Sequence, residues 1–377
     1  MEFVLLLKQN ISVSRKPSDV LFVAGSLLDL NSLALLKNLA TNLNVKFIKE
    51  INSPTNNLLS LSRSNVSIKS IEDSDLLLTI GTNPRFEASM YDMKIKKRSR
   101  SGLFIRASIG VHNNYTYENF SLGTTLKTLL EIIEGTHPFC KKLVNARKPI
   151  IVFNSSIYKS VDIKTLQQLL KLMNNNCRIL SDEWFGVDLL SQTPNYSDFN
   201  SSYFNSVSLK ETKLAYLVGV NDNKRIKALL NDQTIIIQQA AISDDETKCA
   251  DLILPNNLAV ENDATFLNLE NRIQKTTKVN EGPGLAQSDF DIITTLQKLL
   301  KLYKPSDSYP YTDVQTNKLS FEKKLIKNQN EKLNKLTFSY FKSQINNFFD
   351  TDLITKNSLV LNKCAKNFKA SYINFLK

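Results

Sequence analysis

The amino-acid sequence predicts an α/β fold, with parallel sheets covered by helices on both faces and a mainly helical C-terminal extension. Three observations carry that expectation. Short β-rich apolar runs alternate with segments of helical periodicity from residue 20 to about residue 300, the pattern of parallel strands joined by helical crossovers. A chain of 377 residues, 42% of them hydrophobic, is long enough for a large layered body or two compact domains, at ~100–200 residues per domain. Beyond Pro305 the chain turns Lys- and Asn-rich, so the α/β body is expected over residues 1–302 and a basic, mainly helical extension over residues 303–377.

Val20-Leu21-Phe22-Val23-Ala24-Gly25 reads as a buried strand, and Leu33, Leu36, Ala40 and Leu43 then recur at helical spacing on one face. The next strand runs from Asp75 to Gly81 and stops at Asn83-Pro84, because the residue before a proline is pushed out of helical backbone. A charged helix follows to Lys97. Leu103 to Ala107 and Pro149 to Phe153 make two further strands, separated by a helix around Leu126 to Ile133. Ile163, Leu166, Leu170 and Met173 give another apolar helix face. Asp188 to Ser208, rich in Ser, Asn and Tyr, reads as a long loop. Strands resume at Leu214 to Val220 and Thr234 to Gln238. The last helix of the body starts at Ser288, spaced with Asp291 as a capping box, and turns Ile292, Leu296 and Leu299 inward. In the extension, Phe338, Phe341, Ile345 and Phe348 form an amphipathic stripe that must pack on the body or on a partner.

Composition excludes several functions. The formal net charge is +12, and residues 304–377 supply +7 of it, from 13 Lys against 6 Asp plus Glu. No Arg-rich, aromatic-interleaved stripe that grips phosphates and stacks bases accompanies that charge, so no nucleic-acid partner is expected. Abundant Lys, Asn and Ile beside only 10 Gly suggest AT-biased coding, as in an organelle genome. Cys140, Cys177, Cys249 and Cys364 lie 37, 72 and 115 residues apart, with no C-x-x-C pair to start a zinc or iron–sulfur site. They read as reduced core thiols, and no metal site is expected. His112 and His137 are too few for a His-based metal site or a Ser–His–Asp triad. No apolar run approaches the ~18 residues that cross a bilayer. Met1 to Lys8 is too short and too acidic for a secretory signal and lacks the Arg-rich character of an import sequence.

Three segments carry more specific information. The first is Asp75-Leu76-Leu77-Leu78-Thr79-Ile80-Gly81-Thr82-Asn83-Pro84-Arg85-Phe86-Glu87-Ala88, a strand opening through Gly and Pro. The second pairs Tyr115-Thr116-Tyr117-Glu118-Asn119-Phe120-Ser121-Leu122-Gly123 with Glu134-Gly135-Thr136-His137-Pro138-Phe139. The third runs from Ala250-Asp251-Leu252-Ile253-Leu254-Pro255 through Glu261-Asn262-Asp263-Ala264-Thr265, Asn268-Leu269-Glu270-Asn271-Arg272-Ile273-Gln274 and Pro283-Gly284-Leu285-Ala286 to Asp289-Phe290. These segments, in this order, resemble the C-terminal, molybdopterin-oxidoreductase-like half of the 75-kDa-type subunit family of respiratory NADH dehydrogenase (complex I). Arg63-Ser64-Asn65 and Leu217-Val218-Gly219-Val220 also fall in family order. Asn271 stands where the family has Gly, and Phe290 where it has Trp; Asn tolerates left-handed backbone, so the turn at residue 271 survives. The resemblance covers residues 18–302 and leaves the extension without a counterpart.

The resemblance implies Rossmann-like sheets and sets expectations for function. In the wider molybdopterin oxidoreductases a G-x-N-P loop lies beside the pterin, which would make Gly81, Asn83, Pro84 and Arg85 a vestigial cofactor loop; the plainer reading of these residues is a sharp turn. His137 reads as a hydrogen-bonded turn residue rather than a ligand or base. No catalytic residue, cofactor or metal is expected. The implied role is a structural and assembly subunit of the peripheral, NADH-oxidising arm of complex I, on the matrix side of the mitochondrial inner membrane and encoded in the mitochondrion. Its expected partner is a separate iron–sulfur chain equivalent to the N-terminal half of the family, with the extension as a docking arm. A functioning molybdopterin oxidoreductase is the alternative.

Overall fold

The first strand, β1 (Val20–Ala24), is buried at every position. Asp29 caps the helix that follows, α1 (Leu30–Asn42), its carboxylate accepting from the Asn31 and Ser32 N–H groups at 3.1 and 3.3 Å. Asn44 ends the helix in left-handed backbone, at φ 53°. The Val45 N–H then reaches back to the Ala40 carbonyl at 3.0 Å, which satisfies an orphan carbonyl of the last turn. The short strand β2 (Lys46–Lys49) pairs parallel to β1. This computed structural model describes residues 19–25, 28–49, 67–110, 115–154, 184–190, 209–220, 223–242, 247–270, 272–302 and 353–376, with residues 169, 172–174, 177, 179 and 195.

The chain then leaves this sheet and builds another. β3 (Leu76–Ile80), β4 (Ile105–Ile109), β5 (Phe120–Gly123), β6 (Pro149–Asn154) and β7 (Val187–Leu190) pair in the order β5-β4-β3-β6-β7, all parallel. Between them lie α2 (Pro84–Glu87), α3 (Ser89–Arg100), α4 (Leu126–Ile133) and α5 (Cys140–Asn145). The chain next returns to the first sheet with β8 (Leu214–Val218), α6 (Asn223–Leu229), β9 (Ile235–Ala240) and β10 (Leu252–Pro255), giving the order β10-β9-β8-β1-β2. A hairpin, β11 (Thr265–Leu267) and β12 (Ile273–Lys275), leads to α7 (Asp289–Leu299), and α8 (Leu353–Asn357) and α9 (Leu359–Leu376) close the described chain.

Each sheet is covered on both faces, as the strands' continuous apolar character requires. On the first sheet, α1 and α7 pack over Phe22, Leu214 and Val218, while Ile226 of α6 packs over Val23 and Leu217 on the other face. On the second, Leu126, Leu129 and Ile132 of α4 pack over Leu78 and Ile151. Tyr91 and Ile95 of α3 cover the opposite face with Trp184, whose indole N–H donates to the Pro149 carbonyl at 2.8 Å.

The structure moves several sequence-based boundaries. The strand expected from Leu103 begins at Ile105, because Gly102 and Leu103 take left-handed backbone, at φ 73° and 48°. The strand expected to reach Val220 stops at Val218, where Gly219 turns at φ 63°. The loop expected from Asp188 starts too early: Val187–Leu190 is a fully buried strand in register with β6. In α7, Ser288 caps as expected, accepting from the Asp291 N–H at 3.0 Å; Leu296 is buried and Ile292 half-buried against the core as expected, but Ile293 and Gln297 are buried beside them and Leu299 is exposed. The capped start fixes the helix rotation, which centres the buried face between Ile293 and Leu296 and turns Leu299 out. Ile163, Leu166, Leu170, Arg63 to Asn65, His112, Asn271 and the Phe338 to Phe348 stripe lie outside the described residues.

Candidate functional site

In an open parallel sheet, ligands bind beyond the carboxyl ends of the strands, where the chain reverses its direction of growth across the sheet. Here those points lie between β3 and β6 and between β1 and β8.

At the first point, Gly81 leaves β3 at φ 63° while its N–H donates to the Ile109 carbonyl at 2.8 Å. Asn83 caps α2, its side chain accepting from the Arg85 N–H at 3.2 Å, and Pro84 takes the first helical position. The Phe86 and Glu87 N–H groups both go to the Asn83 carbonyl, at 3.1 and 3.0 Å. Glu87 folds back over the turn, where the Thr82 hydroxyl and the Asn83 backbone N–H donate to its carboxyl. Asn154, fully buried at the end of β6, lies against the same group. Burial raises the Glu87 carboxyl to about 7, although these hydrogen bonds pull it down.

Three of the four loop residues marked in the sequence therefore converge, and the fourth departs. Gly81, Asn83 and Pro84 build the turn, whereas Arg85 is exposed, with its guanidinium 5.8 Å from the Phe86 ring. Phe86 in turn meets Phe368 of α9 edge-on, at 5.9 Å between ring centroids. Glu87, Thr82 and Asn154 went unmarked. Glu87 stood inside the first motif, but its burial depends on β6, about seventy residues downstream.

The second reversal point is closed by backbone. The Gly25 N–H donates to the Val218 carbonyl at 2.7 Å, and a Cβ at Gly25 would lie 1.7 Å from the Gly219 carbonyl oxygen. Beside it sits a polar cluster invisible in the sequence. Asp289, first residue of α7, accepts from the Asn256 side-chain amide at 2.7 Å. Its carboxyl is raised to about 7 by burial, with a further push from the charge of Asp29. Gln239 donates to the Tyr216 hydroxyl, which burial and the nearby Asp289 keep well above its ordinary range.

The remaining motif residues hold the architecture together. His137 accepts from the Phe139 N–H at 3.1 Å in the turn between α4 and α5. Tyr117 donates to Asp92 at 2.9 Å, stacks on Tyr115 and lies under Arg106. Glu270 accepts from the Ile68 N–H at 2.8 Å, which ties the hairpin region to the 3-10 helix Ile68–Asp73 ahead of β3. Among the described residues no group of three His, Cys, Asp or Glu side chains is placed to share a metal ion.

A family model for molybdopterin oxidoreductases matches residues 4–299. The chain belongs to the molybdopterin oxidoreductase family. Within it, the chain is 30% identical over 97% of its length to the NADH-ubiquinone oxidoreductase 75 kDa subunit of Reclinomonas americana, covering 58% of that protein. It is 29% identical over 92% to the mitochondrial NADH-ubiquinone oxidoreductase 78 kDa subunit of Candida albicans, covering 51%. Against the mitochondrial NADH dehydrogenase (ubiquinone) iron-sulfur protein 1 of Solanum tuberosum it is 27% identical over 94%, covering 50%. The chain thus spans little more than half the length of these curated relatives. A chain of the formyltransferase/hydrolase complex of Methylorubrum extorquens shares the fold at TM-score 0.54 and 12% identity, over 79% of this chain and 95% of that one. The resemblance is wider than the motifs delimit: the family match begins at residue 4 rather than 18, and relatives align over up to 97% of the chain, so part of the extension is included.

A molybdopterin oxidoreductase implies a phosphate-bearing pterin, and the turn after β3 does not fit one. The backbone donors of Asn83, Arg85, Phe86 and Glu87 are all engaged within the turn. The group at its centre is a carboxyl, which repels phosphate when ionised.

Proposed function

We propose that this molybdopterin oxidoreductase-family chain is a structural part of the peripheral, NADH-oxidising arm of respiratory complex I, supporting electron transfer from NADH to ubiquinone without redox centres of its own. The single observation that carries the scaffold reading is the Gly81–Arg85 turn, closed on itself by Glu87 where a cofactor enzyme would open to its ligand. The relatives, all NADH-ubiquinone oxidoreductase or NADH dehydrogenase proteins by name, supply the assembly. In this reading Gly81, Asn83, Pro84 and Arg85 are structural, residues 1–302 form the α/β body, and residues 303–377 form its extension.

The partner is an iron–sulfur polypeptide equivalent to the portion of the relatives that the chain does not span, in the matrix-side arm at the mitochondrial inner membrane, with the chain encoded in the mitochondrion. No helix among the described residues is long and apolar enough to cross a membrane. Native-gel separation with mass spectrometry of the co-migrating proteins tests this. The chain should run with NADH-oxidising and iron–sulfur subunits, and metal analysis of the purified chain should find molybdenum and tungsten far below one atom per chain. A chain that migrates alone with one molybdenum or tungsten per molecule would establish the cofactor enzyme instead.

A further inference from the structure

We propose that the outer face of α3 is a docking surface for an acidic, apolar segment of another subunit; this rests on the assembly reading above. Tyr91 and Ile95 anchor the inner face of α3 in the core. On the opposite side, Met90, Met93, Lys97 and Arg100 follow one another at spacings of three, four and three, a single stripe along the helix. Met90 is 63% exposed and Met93 60%. Three residues past the helix end, Leu103 is 96% exposed and held at φ 48°. Left-handed backbone at a bulky residue is unfavourable by roughly 1–2 kcal/mol. Strain retained at a fully exposed leucine, just beyond a helix that exposes two methionines, marks a surface that another molecule covers.

The charge on this face selects the kind of partner. Glu72 is shared by Lys94 and Lys97, at 2.6 and 3.1 Å, so one positive charge of the pair stays uncompensated. Arg98 is committed to the Ser74 and Gly102 carbonyls, at 2.8 Å each. Lys96 lies near the Asp92 carboxylate. Arg100 makes no hydrogen bond or ion pair among the described residues. Lys94, Lys96, Lys97, Arg98 and Arg100 set against Glu72 and Asp92 leave about three net positive charges around the three apolar side chains, which favours an acidic partner. Anionic membranes are held by clusters of about 4–8 Lys or Arg, and nucleic acids by many phosphate contacts. An amphipathic helix with apolar anchors at helical spacing and a carboxylate beside them matches the stripe, and methionine adapts readily to such anchors.

The test uses the full-length chain in its assembled state. A photo-reactive amino acid in place of Met93 should crosslink to another subunit, within a segment bearing Asp or Glu. Met90→Asp with Met93→Asp should lower recovery of the chain in the assembly by about tenfold, with Arg100→Glu alone giving a smaller loss. All three positions are on the surface, so the thermal midpoint of the isolated variants should match wild type. A crosslink only to the chain's own residues or to lipid overturns the proposal, as does full recovery of the variants in an assembly that wild type enters. A wild-type chain that never enters the assembly sinks the assembly reading, and this proposal with it.

Discussion

Asp289 is the residue through which pH should act most directly on this fold. Its carboxyl, with an ordinary value of 3.8, holds a proton up to about 7 in the folded chain. Between those values the native state binds more protons than the unfolded one, so the stability this group contributes is complete below the lower value and lost as pH rises through the upper. Glu87 acts in the same sense. Asp289→Asn keeps an acceptor for Asn256 but never ionises. The variant is expected to match wild type near pH ~4 and to exceed it by roughly 4 kcal/mol at pH ~8. Urea unfolding at both pH values checks this, and the same gap at each would refute it. A second single-residue prediction concerns two glycines. An added Cβ at Gly25 meets the Gly219 backbone, whereas one at Gly102, at φ 73°, meets nothing within 4 Å. Gly25→Ala should therefore destabilise by roughly 3 kcal/mol or more, since backbone must move, and Gly102→Ala only by about 1 kcal/mol of conformational strain. Equal losses in thermal unfolding would remove the claim that the β1 and β8 ends close on each other.

Among the elements, the hairpin region links the two sheets, with Leu269 packed on the second sheet's core and Glu270 bonded to the segment ahead of β3. Glu270 accepts from the Ile68 N–H at 2.8 Å and from the Ser67 hydroxyl at 3.3 Å. Glu270→Ala leaves that N–H without its acceptor, at about 1–3 kcal/mol. Amide hydrogen exchange should then rise over residues 67–73, while β8 and β9 stay protected; unchanged exchange would mean the contact carries no weight. No sequence pattern announces such a contact, because Glu270 and Ile68 lie 202 residues apart. Elements whose signal is local were legible. Leu126–Ile133 has the predicted bounds, because its apolar spacing and its neighbours' lack of it coincide. β2 was not, since Lys46-Phe47-Ile48-Lys49 offers too short a run at a sheet edge. β7 was missed because Asp188, fully buried inside it, reads as a loop residue until its neighbours are known; the Tyr91 hydroxyl of α3 meets it on the helix-covered face.

At the scale of the whole molecule, the strand order shows something the alternation of strands and helices could not: the sheet of β3 to β7 is inserted between β2 and β8 of the other. Periodicity counts elements but does not say which strand pairs with which, so the sequence supported one α/β body as readily as two nested sheets. The candidate turn was legible at Gly81, Asn83 and Pro84, where backbone chemistry is written in the residue types, and illegible at Glu87 and Asn154, which only the sheet brings together. Separate cores follow from the insertion. Residues of β1, β8, α1 and α7 fill one set of clusters, and residues of β3, β6, α3 and α4 fill the other. Each sheet thus buries most of its apolar surface in its own clusters, and Leu269 with the Glu270–Ile68 contact links the two locally. The two halves are expected to unfold as distinct cooperative units. Gly25→Ala, which strains only the first sheet, should raise hydrogen exchange throughout β1, β8 and β9 by about tenfold or more while leaving β3 and β6 at wild-type protection. If all five strands lost protection together, the molecule would be a single cooperative unit, and the inserted sheet would depend on its host for stability.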